Sequence, residues 1–196
     1  MKLEQVVDGR WVGPGAALSR GPLVVFGEHG GAVRMLDLTA GLSLRGPLYL
    51  LDCGNRSNMY RVARTLRTLT NDPVAVMRNI RLSRAFTCYQ VVALLEKVTA
   101  SPAAPVLVLD LLSTFLDESV QLQESAQLFE SALQYLLAVG QAVPVVVSVK
   151  PLLSLSAPRL GLLQRLKESA AEVWEESGLP PTNPKLEMQL PLLPDY

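Results

Sequence analysis

The residues with the clearest capacity for chemistry are Leu23 to Arg34, LVVFGEHGGAVR. Leu23, Val24, Val25 and Phe26 read as an apolar strand, and Gly27, Gly30 and Gly31 as a glycine-rich turn. A helix is expected from Ala32. Strand, glycine-rich loop and helix N-terminus together aim backbone N–H groups and the positive end of a helix dipole at an anion. A working phosphate loop reads G-x-x-x-x-G-K-[ST], with the Lys reaching the β/γ-phosphates and the hydroxyl holding Mg²⁺. Gly27 fits the first position, but Ala32, Val33 and Arg34 stand where Gly, Lys and Ser/Thr belong. Two readings stay open for this loop. Gly27, Glu28, His29, Gly30, Gly31, Ala32, Val33 and Arg34 still cradle a phosphate through the backbone, aided by the Arg34 guanidinium. Or the turn is remodelled and empty, and Glu28 repels anions. His29 brings to this loop the residue type used as a switch at physiological pH; the plain reading of a lone loop histidine is a solvated side chain.

A second set of residues is basic. Arg56, Arg61, Arg64, Arg67, Arg78, Arg81 and Arg84 fall within 29 residues that hold one acid, Asp72. Arg61, Arg64 and Arg67, at i, i+3 and i+6, are expected along one face of a helix. With Arg56 they suit a phosphate backbone in the non-specific manner, the acidic half of a neighbouring subunit, or plain solvation. The charge asymmetry runs along the whole chain. Residues 1–100 carry 13 Lys+Arg against 7 Asp+Glu and residues 101–196 carry 5 against 11, for a formal net charge of zero. Two cysteines, Cys53 and Cys88, are expected near the ends of buried strands. Two cysteines and one histidine make neither a disulfide framework nor a zinc site, and they fit a reducing cytosol.

These groups need a scaffold, and 196 residues suffice for one domain with a real core. Residues 1–22 read as a turn-rich lead-in, with Trp11 and Val12 packing near an edge. Residues 23–196 read as a single core domain with a Pro-rich tail. Strands are expected at 23–26, 48–52, 79–86, 106–110, 143–149 and 172–175, with a last one at 186–190. The third alternates apolar and polar residues and should be the most exposed. Helices are expected from Ala32, from a cap at Asn55 or Ser57 to about Thr70, from a cap at Thr87, over 120–139 with Gly140 as terminator, and over 159–170. Strands separated by helices make a mostly parallel α/β sheet with right-handed crossovers. Ligands in such sheets bind beyond the strand C-termini. The loop at 27–34, residues 52–55, Asp110 and residues 148–150 all fall at that edge. No run of about 18 apolar residues suggests a membrane span.

Four passages in this order resemble the RecA superfamily in its RadA- and KaiC-like branch. They are GPGAALSRGPLVVFGEHG (13–30), LYLLDCGN (48–55), NIRLSRAFT (79–87) and VLVLDLLSTF (106–115). The resemblance implies a RecA-like three-layer sandwich, with Asp110 matching the metal-side acid of the Walker B strand. It also marks what is missing: Val33 brings no ammonium, Arg34 no hydroxyl, and Cys53–Gly54 stand where the family places a catalytic Glu. Phosphoryl transfer rests on positioning and electrostatic stabilisation, so the reading leans away from an enzyme. The family resemblance implies a catalytically inactive accessory or regulatory subunit, acting in DNA recombination or repair in the cytoplasm. It would hold no cofactor and pair with itself or a RecA-like paralogue, with nucleic acid as a further partner. The alternatives are a nucleotide- or phosphate-sensing ATPase-like protein with unorthodox ligands such as Arg34, and a structural ring subunit. Asp117, Glu118 and Glu124 after the Walker B strand would repel DNA, whereas Lys150 and Arg159 would attract it. In the matched fold the Ser/Thr that Arg34 replaces and the acid that Asp110 matches approach the same metal from two sides, which suggests an Arg34–Asp110 ion pair, direct or through one water, in its place.

Overall fold

The computed structural model describes residues 6–7, 10–11, 21–27, 32–150 and 157–176. The lead-in contributes a short antiparallel pair, β1 (Val6–Val7) and β2 (Arg10–Trp11). Trp11 therefore lies on a strand of its own small sheet, while Val12 and the strand expected at 186–190 fall outside the described residues. The core has six parallel strands: β3 (Leu23–Gly27), β4 (Leu48–Asp52), β5 (Ile80–Arg84), β6 (Val106–Leu109), β7 (Val145–Val149) and β8 (Glu172–Glu176). Their spatial order is β5-β4-β6-β7-β3-β8.

Six helices complete the layers: α1 (Ala32–Ser43), α2 (Met59–Leu69), α3 (Pro73–Met77), α4 (Cys88–Thr99), α5 (Leu122–Gly140) and α6 (Ala157–Ser169). Strand residues alternate between two cores. Leu48, Leu50, Leu107 and Leu109 pack with Met35 and Leu36 of α1 and Val62 and Leu66 of α2. Leu51, Val106, Val108 and Val147 pack with Leu95 of α4, Phe129 and Leu133 of α5 and Leu166 of α6. The chain is thus a three-layer α/β sandwich. A sheet covered on both faces needs apolar residues at nearly every strand position, and β6 and β7 are buried throughout. β5, one of the two edge strands, alternates, with Ile80 and Leu82 turned to the α1/α2 core. Each fully buried Leu is worth about 1.5–3 kcal/mol over an exposed one, so these clusters carry the fold.

Local chemistry sets the helix starts. Thr87 Oγ1 accepts from the Gln90 N–H and caps α4, as expected. The α2 cap is Asn58, whose Oδ1 accepts from Arg61 N. Neither Asn55 nor Ser57 takes that role, because both belong to the turn that leaves β4. NDP at 71–73 ends one helix but also begins another. Asp72 caps α3 and Pro73 is its first residue, the position where a missing N–H costs nothing. Gly140 is the last residue of α5. Cys88 opens α4 directly after the Thr87 cap, shortly beyond the end of β5. Among the described residues, no helix is long and apolar enough to cross a membrane.

Candidate functional site

The crossovers diverge between β4 and β6. From β4 the chain turns outward through α2 and α3 on one face; from β6 it turns the other way through α5 on the opposite face. In open α/β sheets such a switch is where ligands bind, in the crevice beyond the strand C-termini. Cys53 N donates to Leu109 O (2.9 Å) and Ala85 N to Asp52 O (3.0 Å), so three strand ends are laced together at its floor.

Two carboxylates define the crevice. Asp52, the last residue of β4, has a fully buried side chain. Its Oδ1 accepts from Arg56 N (2.8 Å), and its Oδ2 accepts from Ser57 N (3.0 Å) and from the Ser57 hydroxyl (2.5 Å). Arg84, at the end of β5, adds its Nε at 3.5 Å from Asp52 Oδ2 and donates to Ser57 Oγ through Nε and Nη2. Charged, buried and met by donors on both oxygens, this carboxylate is satisfied in the way burial requires. Its work is to wrap the turn 53–57 around itself.

Asp110 follows β6 with a left-handed backbone, φ 52°. The expected strand 106–110 therefore ends one residue early, and the turn re-aims this side chain. Its N–H donates to Ser148 Oγ (3.1 Å), its Oδ1 accepts from Lys150 N (3.1 Å), and Arg56 Nε lies 3.7 Å from its Oδ2. In the turn after β4 Asn55 is left-handed too, φ 55°. These are the two non-glycine residues with positive φ among the described residues, and Asn and Asp tolerate that region best. Both lie in the turns that leave the C-terminal ends of β4 and β6. Gly54 is pressed against Asp110: a Cβ on it would sit 2.5 Å from both Cβ and Oδ2 of that residue. Burial, and then the charges of Asp52 and Asp110, push the Cys53 thiol well above its usual range. It stays protonated and is no nucleophile.

The residues of the glycine-rich loop distribute differently. Gly27 ends β3, while Glu28, His29, Gly30 and Gly31 lie outside the described residues. Ala32, Val33 and Arg34 form the first turn of α1. β7 stands between β3 and β6. Arg56 is a cation beside Asp110 that the sequence did not suggest. Val33, in that first turn, is an exposed apolar side chain, and a main-chain amide and a guanidinium face Asp110. Among the described residues no three His, Cys, Asp or Glu side chains gather to hold a metal ion.

The arginines separate in the same way. Arg56 belongs to the crevice. Arg61 turns toward α1, where its Nη2 meets Asp37 Oδ2 at 3.1 Å, beside a Thr65 hydroxyl on the other oxygen of Asp37. Arg64 and Arg67 remain on the outer face of α2. Arg159 is not offered to any partner: it is 6% exposed and donates to Phe115 O (2.8 Å) and Val120 O (2.9 Å). Asp117 and Glu118 stay exposed on that same loop.

One clue to the missed contacts was present in DCGNRS (52–57): a strand-end acid followed by Gly and Asn, residues that permit a tight turn back onto a carboxylate. No protein-family model matches the chain, and no curated protein is significantly similar to it.

Proposed function

We propose that this chain is a RecA-type domain that binds partners and does not turn over nucleotide. It would serve as an accessory or regulatory subunit of a recombination-type assembly, beside copies of itself or an active paralogue. The observation that carries the reading is the state of Asp110. The carboxylate that the family resemblance would place against a metal is held by the chain's own groups, Arg56 Nε at 3.7 Å and Lys150 N at 3.1 Å, with Gly54 packed onto its side chain. An internal cation neutralises that carboxylate without offering the open coordination positions that Mg²⁺ needs. Val33 and Arg34, where the motif needs Lys and a hydroxyl, point the same way.

The experiment is steady-state ATP hydrolysis by the purified full chain with Mg²⁺. Turnover should not rise above background. A rate near 1 s⁻¹, ordinary for an enzyme, that disappears in Asp110→Ala would refute the proposal.

A further inference from the structure

We infer that the starts of α4 and α5 form a docking surface for a basic amphipathic segment of another protein, centred on Phe86, Tyr89 and Leu122. Phe86 precedes the Thr87 cap of α4, and Tyr89 lies in the first turn of that helix. The Phe86 N–H donates to Gln90 Oε1 (2.7 Å), which pins the residue to the helix it precedes. The Tyr89 hydroxyl donates to Glu124 Oε1 in the first turn of α5, two residues beyond Leu122 at its start. That bond brings the three apolar side chains to one place. Phe86 is 68% exposed, Tyr89 48% and Leu122 36%. Single exposed apolar residues are ordinary, but a cluster rimmed by charge marks an interaction site.

The rim is acidic. Glu124 stands within it, and Asp117 and Glu118 are exposed on the turn that leads into α5. Burial pushes the Cys88 thiol up, and the charges of Glu124 and Asp117 push it the same way, so the fields of both acids reach the first residue of α4. None of these three carboxylates makes an ion pair among the described residues, unlike Asp37, Asp52, Asp110, Glu130 and Glu175. The cations around them are committed elsewhere. Arg84 meets Asp52, Arg81 donates to the Tyr49 hydroxyl and lies over its ring, and the buried Arg159 is held by Phe115 O and Val120 O. Lys97 stands at the far end of α4. Phosphates of a nucleic acid or of an anionic membrane would meet uncompensated carboxylates here and be repelled. A lysine- or arginine-rich segment with an apolar stripe satisfies the rings and the acids together. The surface does not depend on the loss of ATP turnover, so turnover and binding assays fail separately.

The test is fluorescence anisotropy of the full chain with a labelled helical peptide of about 18 residues, carrying leucines at i, i+3, i+4 and i+7 and lysines elsewhere. Wild type should bind it saturably, and a matched peptide with glutamate in place of lysine should not bind. Phe86→Ser and Leu122→Ser should each weaken binding by at least about fivefold, as the loss of an interface anchor does. Asp117→Asn/Glu118→Gln should weaken binding and flatten its salt dependence, as the loss of rim charges does. Leu160→Ser, on the exposed side of α6, should leave binding unchanged. All of these side chains are exposed, and circular dichroism should show each variant folded. No saturable binding at low salt overturns the inference, as do equal binding of the glutamate peptide and unchanged binding in Phe86→Ser and Leu122→Ser. Self-association in sedimentation equilibrium that is lost in Phe86→Ser also overturns it and marks a surface for a second copy. Pelleting with phosphatidylserine vesicles that is lost in the same variant overturns it in favour of a membrane.

Discussion

Gly54→Ala tests the crevice most directly. A methyl group there would lie 2.5 Å from Asp110 Cβ and Oδ2 and 2.9 Å from Cγ, where carbon–carbon contact is comfortable only at about 3.5–4.0 Å. Relief therefore requires a shift of roughly 1 Å. Asp110 has little freedom to move: its N–H is held by Ser148 Oγ, its carbonyl by Ser113 N and its Oδ1 by Lys150 N. Overpacking of this kind costs about 1–3 kcal/mol, and a lost hydrogen bond to a charged group about 1.5–3 kcal/mol. Alanine returns about 0.4–1 kcal/mol by restricting the unfolded chain. Gly54 is not in the left-handed region, so no backbone penalty adds to this. The expected net loss is about 2–4 kcal/mol, or about 5–15 °C in Tm for a chain of this size. Urea unfolding followed by circular dichroism measures it. Asp110→Gly removes the colliding atoms and suits the backbone at φ 52°. The double variant Gly54→Ala/Asp110→Gly should therefore be more stable than the sum of the single losses predicts, by at least about 1 kcal/mol. Additivity within about 0.5 kcal/mol would show that the close approach of Gly54 to Asp110 does not constrain the crevice.

Arg159→Ala should destabilise the protein by about 3 kcal/mol and speed amide exchange in residues 114–121, because the guanidinium bridges Phe115 O and Val120 O. Arg159→Lys should restore little, since an ammonium lacks the planar fork. Cys53 should resist iodoacetamide in the native protein at pH 8 and react once the chain is unfolded, as intact mass would show. Its folded thiol is held above the ordinary value of about 8.5. Its contribution to stability is therefore present below that pH and is lost as pH rises above it, where only the unfolded chain gives up the proton.

What could be read from the sequence was whatever a long, uniform pattern encodes. LVVF, LYLLD and VLVLD are continuous apolar runs because strands covered on both faces have no solvent side, and IRLSR alternates because β5 is an edge. α3 escaped notice because five residues are too few to show a helical period, and Pro73 reads as a terminator when it is an initiator. The crevice divides along the same line. Asp52 and Asp110 were placed at the sheet's C-terminal edge because a strand end is a position that a pattern can locate. Their partners were not, because Arg56 reaches Asp110 only after the turn 53–57 doubles back, and that turn is built from single-residue events: a glycine that must lack a Cβ, an asparagine at φ 55°, two amides on one carboxylate. Arg61 shows the same limit on a helix. Its spacing with Arg64 and Arg67 promised one basic face, but its Nη2 meets Asp37 of α1 at 3.1 Å, and the shared stripe is Tyr60, Arg64 and Arg67. Periodicity says which residues can share a face; the neighbouring helix decides which of them are left for a partner.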